Sequence, residues 1–193
     1  MMNKAVFLDK DGTLIPDVPY NVDPQLITLQ ADAIEGLKRL QAAGFLFIII
    51  SNQSGVARGI FDEQMLAGVE QQIRQLLYKH AIELAGFYYC PHHPEGVIAG
   101  FNKDCNCRKP APGMLFTAAK EHHIDLGASW MIGDILNDVE AGNRAGCSTI
   151  LIDNGNETEW VPGHHRVPKI TAKSIDEAAK LMLKSNQHEL AGL

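Results

Sequence analysis

Asp9 and Asp11 stand one residue apart at the end of the apolar run 5–8, and Gly12 follows them. Asp134 and Asp138 follow another apolar stretch, SWMIG, and Ser51 and Asn52 end a third, FLFIIISN. Carboxylates gathered at one edge repel each other unless a cation lies among them. An oxygen-only donor set suits Mg²⁺, which keeps several waters and pairs with a substrate phosphate. A second cluster offers softer atoms: Cys90 and His92, then, after twelve intervening residues, Cys105 and Cys107. Three thiolates and an imidazole satisfy tetrahedral Zn²⁺ with no open position, so such an ion would be structural. Buried free thiols are the alternative for this spacing, and Asp-x-Asp-Gly alone is also a good turn. Cys107 directly precedes Arg108 and Lys109, so zinc would pin a loop that is otherwise costly to order and would hold both cations in place. His93 is a weaker ligand candidate, and Cys147, far along the chain, reads as a small core residue.

These side chains need a scaffold that delivers strand ends to one edge. In ADAIEGLKRLQAAG, Ile34, Leu37 and Leu40 recur at helical spacing and Gly44 can close the helix. FLFIII then reads as a strand buried on both faces. Asp62 can cap a helix carrying Leu66, Val69, Ile73, Leu76 and Leu77, and GFYY reads as a short strand before Cys90. Pro112 fits the first turn of a helix running to about His122, SWMIG reads as a strand, DVEAGNRAG as a helix closed by Gly146, and STILID as a further strand. A final helix is expected from Ile175 through Leu183, followed by a polar tail, 186–193. Strands alternating with helices predict an α/β fold with a doubly wound, mostly parallel sheet. One domain, 1–185, is expected, with the metal loop at 90–107. Ligands of such sheets bind beyond the carboxyl ends of the strands, where Asp9, Ser51, Asn52 and Asp134 fall.

Composition narrows the function classes. Seventeen Lys and Arg against 23 Asp and Glu give a net charge of -6, which disfavours extended binding to a nucleic-acid backbone. No apolar run approaches the ~18 residues of a membrane span. The start, MMNKAVFLD, goes straight into strand-like sequence rather than a secretory signal, so a cytoplasmic chain is expected. A monomer is the default for its size.

The motifs DKDGT, SNQSG, CRKP and GDILND, in this order, resemble the catalytic set of the haloacid dehalogenase (HAD) superfamily of phosphotransferases. The resemblance implies an aspartyl-phosphate mechanism with Asp9 as nucleophile and Asp11 as general acid and base. It implies that Ser51 and the Asn52 N–H bind phosphoryl oxygens and that Lys109 supplies a fixed positive charge. Asp9, Asp134 and the main-chain carbonyl of Asp11 would hold Mg²⁺, with Asp138 acting indirectly, through water or by orienting Lys109. Within the superfamily, YYCPHHP and CNCRKPAPGML resemble heptose-bisphosphate phosphatases. Histidinol-phosphate phosphatases share the Asp pair and both ends of the Cys/His loop, but their loop is shorter. The resemblance covers residues 4 to about 152 and implies a small phosphorylated sugar as substrate. Asp17, Tyr20, Asn52, Gln53 and Ser54 would lie near the sugar, Arg108 and Lys109 would meet phosphate or sugar, and Arg58 is a further candidate. Where members can carry Lys after the metal-binding Asp, this chain has Ile135, which removes a side-chain ligand or phosphate contact from that position. No long insertion separates the early motifs, so no large cap domain is expected. A zinc-held binding module with vestigial acids is the reading from a different class.

Overall fold

The computed structural model describes residues 2–191. Strands β1 (Lys4–Leu8), β2 (Phe45–Asn52), β3 (Leu84–Cys90), β4 (Trp130–Gly133), β5 (Ser148–Ile152) and β6 (Ile170–Ala172) form one sheet in the order β3-β2-β1-β4-β5-β6. Every pairing is parallel. Helices α1 (Ala33–Ala42), α2 (Leu66–Tyr78), α3 (Gly113–Glu121), α4 (Leu136–Ala145) and α5 (Ile175–Ala191) connect and flank the strands.

Strand periodicity explains the layers. Successive side chains point to opposite faces, so Val6 and Leu8 join α1, α2 and α5 through Leu37, Ile73 and Ala178. Ala5 and Phe7 instead join α3 and α4 through Leu115 and Ala141. Both sheet faces are therefore covered, which is why FLFIII is apolar throughout rather than alternating.

The chain builds outward from β1 through β2 to β3, then crosses to the other side of β1 to build β4, β5 and β6. That reversal places a crevice between the carboxyl ends of β1 and β4, the position where open α/β sheets bind ligands. The register sets Leu8 beside Ile132, and the Asp9 N–H donates to the Ile132 carbonyl at 2.9 Å. Asp9 and Asp134 thus emerge side by side from strands that are far apart in sequence. Among the described residues, the β1–α1 and β2–α2 connections each carry only a short 3-10 turn, Pro24–Leu26 and Glu63–Met65, and no large cap is present.

Three expectations change in detail. Asp62 precedes the Glu63–Met65 turn rather than α2 itself, and its side chain makes no capping bond. The edge strand β6 was not anticipated, because three residues are too few for periodicity to register. The last helix continues to Ala191 instead of ending at Leu183, since no Gly or Pro interrupts the chain before Gly192. Most of the expected polar tail is therefore helical, and residues 192–193 lie outside the described residues.

Candidate active site

The crevice gathers the acids around one cation. Lys109, 2% exposed, places Nζ 2.5 Å from Asp9 Oδ1, 2.5 Å from Asp138 Oδ1 and 2.9 Å from the Ile50 carbonyl. Its main chain is held as firmly: the Lys109 N–H donates to Asn52 Oδ1, and Asn52 Nδ2 donates to the Lys109 carbonyl, both at 3.0 Å. Asp138, fully buried, accepts at Oδ2 from the Ile135 N–H at 3.3 Å. A Cβ on Gly133 would lie 2.2 Å from that of Asp138, so only glycine lets α4 start this close to the strand end. Asp134 accepts from Thr13 Oγ1 at 3.2 Å and from Asn156 Nδ2 at 2.6 Å.

Oxygens of Asp9, Asp134 and Asp138 lie within 4.8 Å of one another. Burial pushes Asp9 up to about 7 despite the opposing pull of Lys109, with Asp138 and Asp11 adding to the rise. Burial also pushes Asp134 up to about 7, helped by the Asp9 charge. Burial alone would lower Lys109, but Asp138 and Asp9 more than offset it and hold the ammonium protonated. Once ionised, three buried carboxylates against one ammonium would carry an excess of negative charge that a divalent cation could neutralise. Hard oxygen donors around that excess fit Mg²⁺.

Asp11 faces the other way. Its Oδ1 accepts from Lys10 Nζ at 2.7 Å and its Oδ2 from Gln53 Nε2 at 3.1 Å. Gln53 Nε2 also donates to Ser51 Oγ at 2.7 Å. The Asp11 carboxylate is outside the group formed by the other three acids; a ligand role for its main-chain carbonyl is what the family resemblance implies. A cavity of about 200 Å³ takes in Asp9, Ser51, Lys109, Asp134, Ile135 and Asn156. A neighbouring cavity of about 290 Å³ takes in Tyr20, Gln53 and Ser54, and both share Asp11, Asp17 and Asn52. The residues expected near the sugar are thus brought together. Arg108 lines neither cavity, and its Nη1 reaches the His92 carbonyl at 3.5 Å.

The thiols converge as expected. Cys107 Sγ lies 3.0 Å from Cys90 Sγ and 3.1 Å from Cys105 Sγ, while His92 Nδ1 lies 3.3 Å from Cys107 and 3.7 Å from Cys90. A tetrahedron with ~2.3 Å metal–sulfur bonds has edges of roughly 3.7 Å, so this spacing fits Zn²⁺ after slight expansion. The Arg108 N–H points at Cys105 Sγ, 3.4 Å away. His93 stays outside the group and meets Arg58 Nη2 at 3.1 Å. Cys147 is buried in the α3–α4 core.

Comparison with known proteins matches this arrangement to a family. The HAD-hydrolase-like family model matches residues 106–178. A D-glycero-beta-D-manno-heptose-1,7-bisphosphate 7-phosphatase of Pasteurella multocida is 42% identical over 155 residues, covering 80% of this chain and 84% of its own. The chain belongs to the heptose-bisphosphate phosphatase family of HAD-like hydrolases. The Escherichia coli K12 protein of the same name is 37% identical over 166 residues, covering 81% of this chain and 87% of its own. A D,D-heptose 1,7-bisphosphate phosphatase from B. bronchiseptica, solved with magnesium and phosphate, aligns with a TM-score of 0.74 at 26% identity, covering 94% of this chain and 99% of that one.

Several residues at this family site carried no signal in the sequence. Lys10, 1% exposed, donates to Asp11 Oδ1 at 2.7 Å. Thr13 was legible only as part of DKDGT, and Asn154, Asn156 and Glu157 lie beyond the last motif.

The raised acids predict a pH dependence. Both values lie above the ordinary 3.8, so without metal the folded chain keeps protons that the unfolded chain releases between about pH 4 and 7. Their contribution to metal-free stability is greatest below that window and is lost as pH rises through it. Mg²⁺ needs the deprotonated ligands, so its affinity should rise with pH up to about 7 and its binding should release protons. Thermal melts with and without Mg²⁺ across this range should diverge upward; a metal-induced shift that is constant with pH would contradict the assignment.

Proposed function

We propose that this chain is a Mg²⁺-dependent phosphatase that removes the C7 phosphate of D-glycero-D-manno-heptose 1,7-bisphosphate. The observation that carries the chemistry is Asp9 at the sheet's switch point, paired with a buried Lys109 and facing Asp134. The substrate rests on the family, whose named relatives act on this sugar, and histidinol phosphate is not favoured. Bound Mg²⁺, held by Asp9, Asp134 and the Asp11 carbonyl, would neutralise charge on the transferring phosphoryl group.

The chain's own residues carry the rest. A carboxylate oxygen of Asp9 attacks phosphorus in line, the P–O7 bond breaks, and Asp11 gives its proton to O7. Asp11 then takes a proton from water as that water attacks the aspartyl-phosphate, releasing phosphate and restoring Asp9. Ser51 and the Asn52 N–H bind phosphoryl oxygens, and Lys109, fixed beforehand among three oxygens, meets the developing charge without reorganising. Asp138 holds Lys109 in place. The adjoining cavity, with Asp17, Tyr20, Gln53 and Ser54, receives the sugar. Cys90, His92, Cys105 and Cys107 would hold a structural Zn²⁺ that fixes the loop carrying Arg108 and Lys109, and Arg108, which lines neither cavity, would have to leave the His92 carbonyl to meet the remainder of the substrate.

We place the activity in the cytoplasm, in the supply of nucleotide-activated heptose for lipopolysaccharide, with a monomer that needs no nucleic acid or membrane partner. No described helix is long and apolar enough to cross a membrane. The test is kcat/KM for phosphate release, with Mg²⁺, from both anomers of the heptose 1,7-bisphosphate and from histidinol phosphate. A preference of about 10²-fold or more for one heptose anomer is expected. Equal, slow turnover of all three would overturn the substrate and leave the phosphatase chemistry; no Mg²⁺-dependent turnover of any phosphate ester would instead favour a binding module.

A further inference from the structure

The loop after β5 reaches back over the site with three polar side chains. Asn154 Nδ2 donates to the Gly12 carbonyl at 2.8 Å, tying the loop to the turn that follows Asp9 and Asp11. The Asn156 N–H donates to Asn154 Oδ1 at 3.2 Å, and Asn156 Nδ2 donates to Asp134 Oδ2 at 2.6 Å. Glu157 Oε2 accepts from the Leu136 N–H, at the start of α4, at 2.7 Å. Its Oε1 accepts from the Glu159 and Trp160 N–H groups at 2.8 Å and 3.3 Å. One loop thus fastens three otherwise separate parts: the nucleophile turn, the Asp134 carboxylate and the helix that carries Asp138.

We infer that Asn156 is a positioning residue that orients the Asp134 carboxylate toward the divalent cation, an inference that rests on the Mg²⁺-dependent reading above. An ionised carboxylate offers about four lone-pair sites. Thr13 takes one on Oδ1 and Asn156 one on Oδ2, which fixes the rotation of the group and leaves the other sites for a metal. Position 12 has no room for a side chain that could take over this contact. A Cβ on Gly12, whose φ is +81°, would fall 2.0 Å from Asp134 Oδ2 and 2.5 Å from Asn156 Nδ2, so the bonded pair rests directly against that glycine. Asn156 is itself exposed at the mouth of the catalytic cavity, whereas Asp134 is 4% exposed. Ile135, which lines the same cavity, offers no side-chain polar atom that could replace the amide.

The experiment is Mg²⁺ binding measured by calorimetry on the zinc-replete wild type and on Asn156→Ala, with melting temperature and zinc content recorded for each. Hydrogen-bond partners of metal ligands typically set affinity by ~10–100-fold, so the variant's Kd for Mg²⁺ should rise at least about tenfold. Zinc content and the melting temperature without Mg²⁺ should stay as in the wild type. At saturating Mg²⁺, KM for the sugar phosphate should be unchanged and kcat should return to within about threefold of wild type. Asn154→Ala, which frees the loop without touching Asp134, should weaken Mg²⁺ in the same direction by less. An unchanged Kd in Asn156→Ala, or a loss of kcat that saturating Mg²⁺ does not restore, would overturn the positioning role while leaving the phosphatase reading intact. A wild type that turns over substrate without binding Mg²⁺ would overturn both.

Discussion

Replacing Asp9 by Asn is expected to abolish phosphate release, with kcat falling by about 10⁴-fold or more, a loss of at least ~5.4 kcal/mol of transition-state stabilisation. The amide has nearly the same shape, so the effect isolates chemistry from packing. A neutral amide oxygen is too weak a nucleophile to form the phosphoryl ester on which the proposed first step depends. The fold should tolerate the change. Lys109 keeps Asp138 and the Ile50 carbonyl as partners, and one of three crowded buried acids is no longer charged. Metal-free melting temperature should therefore hold or rise even as turnover disappears. Mg²⁺ affinity should drop, since one of its carboxylates is gone. Release of phosphate at more than about 1% of the wild-type rate, under saturating Mg²⁺, would show that another group attacks phosphorus.

Cys107→Ala should cost both stability and activity, because Cys107 is bonded into the cluster and directly precedes Arg108 and Lys109. Without the metal, residues 90–107 become an open loop. Cross-links closing loops of this size contribute about 2–5 kcal/mol, which for a chain of this length is roughly 5–15 °C of melting temperature. Activity should fall by ~10²–10³-fold, the usual consequence of misplacing one fixed charge at the reacting centre. The Asn52 pairing with the Lys109 main chain will limit the displacement, so the loss should be smaller than that of Asp9→Asn. Zinc content measured by mass spectrometry should drop from one per chain to none. Cys147→Ala is the control, since that buried thiol is not one of the four clustered ligand candidates; it should keep its zinc and its turnover. Metal-free protein purified without chelators and fully active would end the zinc assignment.

What could be read from the sequence follows from how each residue acts. Asp9 and Asp134 were legible because each ends an apolar run that only a buried strand explains, and parallel strands share one carboxyl edge. The thiols were legible because metal chemistry restricts both ligand type and spacing. The loop after β5 was not, because its bonds span 142 positions in one case and 22 in another. Asn and Glu in a loop look the same whether they meet a carboxylate or water. Lys10 was hidden for a related reason: a lysine between two acids looks like a solvated neighbour in sequence, whereas in the fold it is 1% exposed and paired with Asp11. Asn52 shows a partial reading, since its place near the site was evident but its side chain is occupied with the main chain of Lys109.

Asp11 belongs to the wall common to the two cavities. In the proton-donor role proposed for it, Asp11 would act from that boundary as a gauge of how a molecule has entered. Only the ester oxygen that comes to rest at that boundary can collect the proton it needs to leave. A substrate carrying two phosphates could present either end to Asp9, and both are phosphate esters of the same sugar. On that proposal, which one departs would be decided by the length and outline of what fills the adjoining space, not by the intrinsic lability of either bond. Selectivity for one end of the molecule is in this sense a measurement of distance, made from a fixed carboxylate held between Lys10 and Gln53.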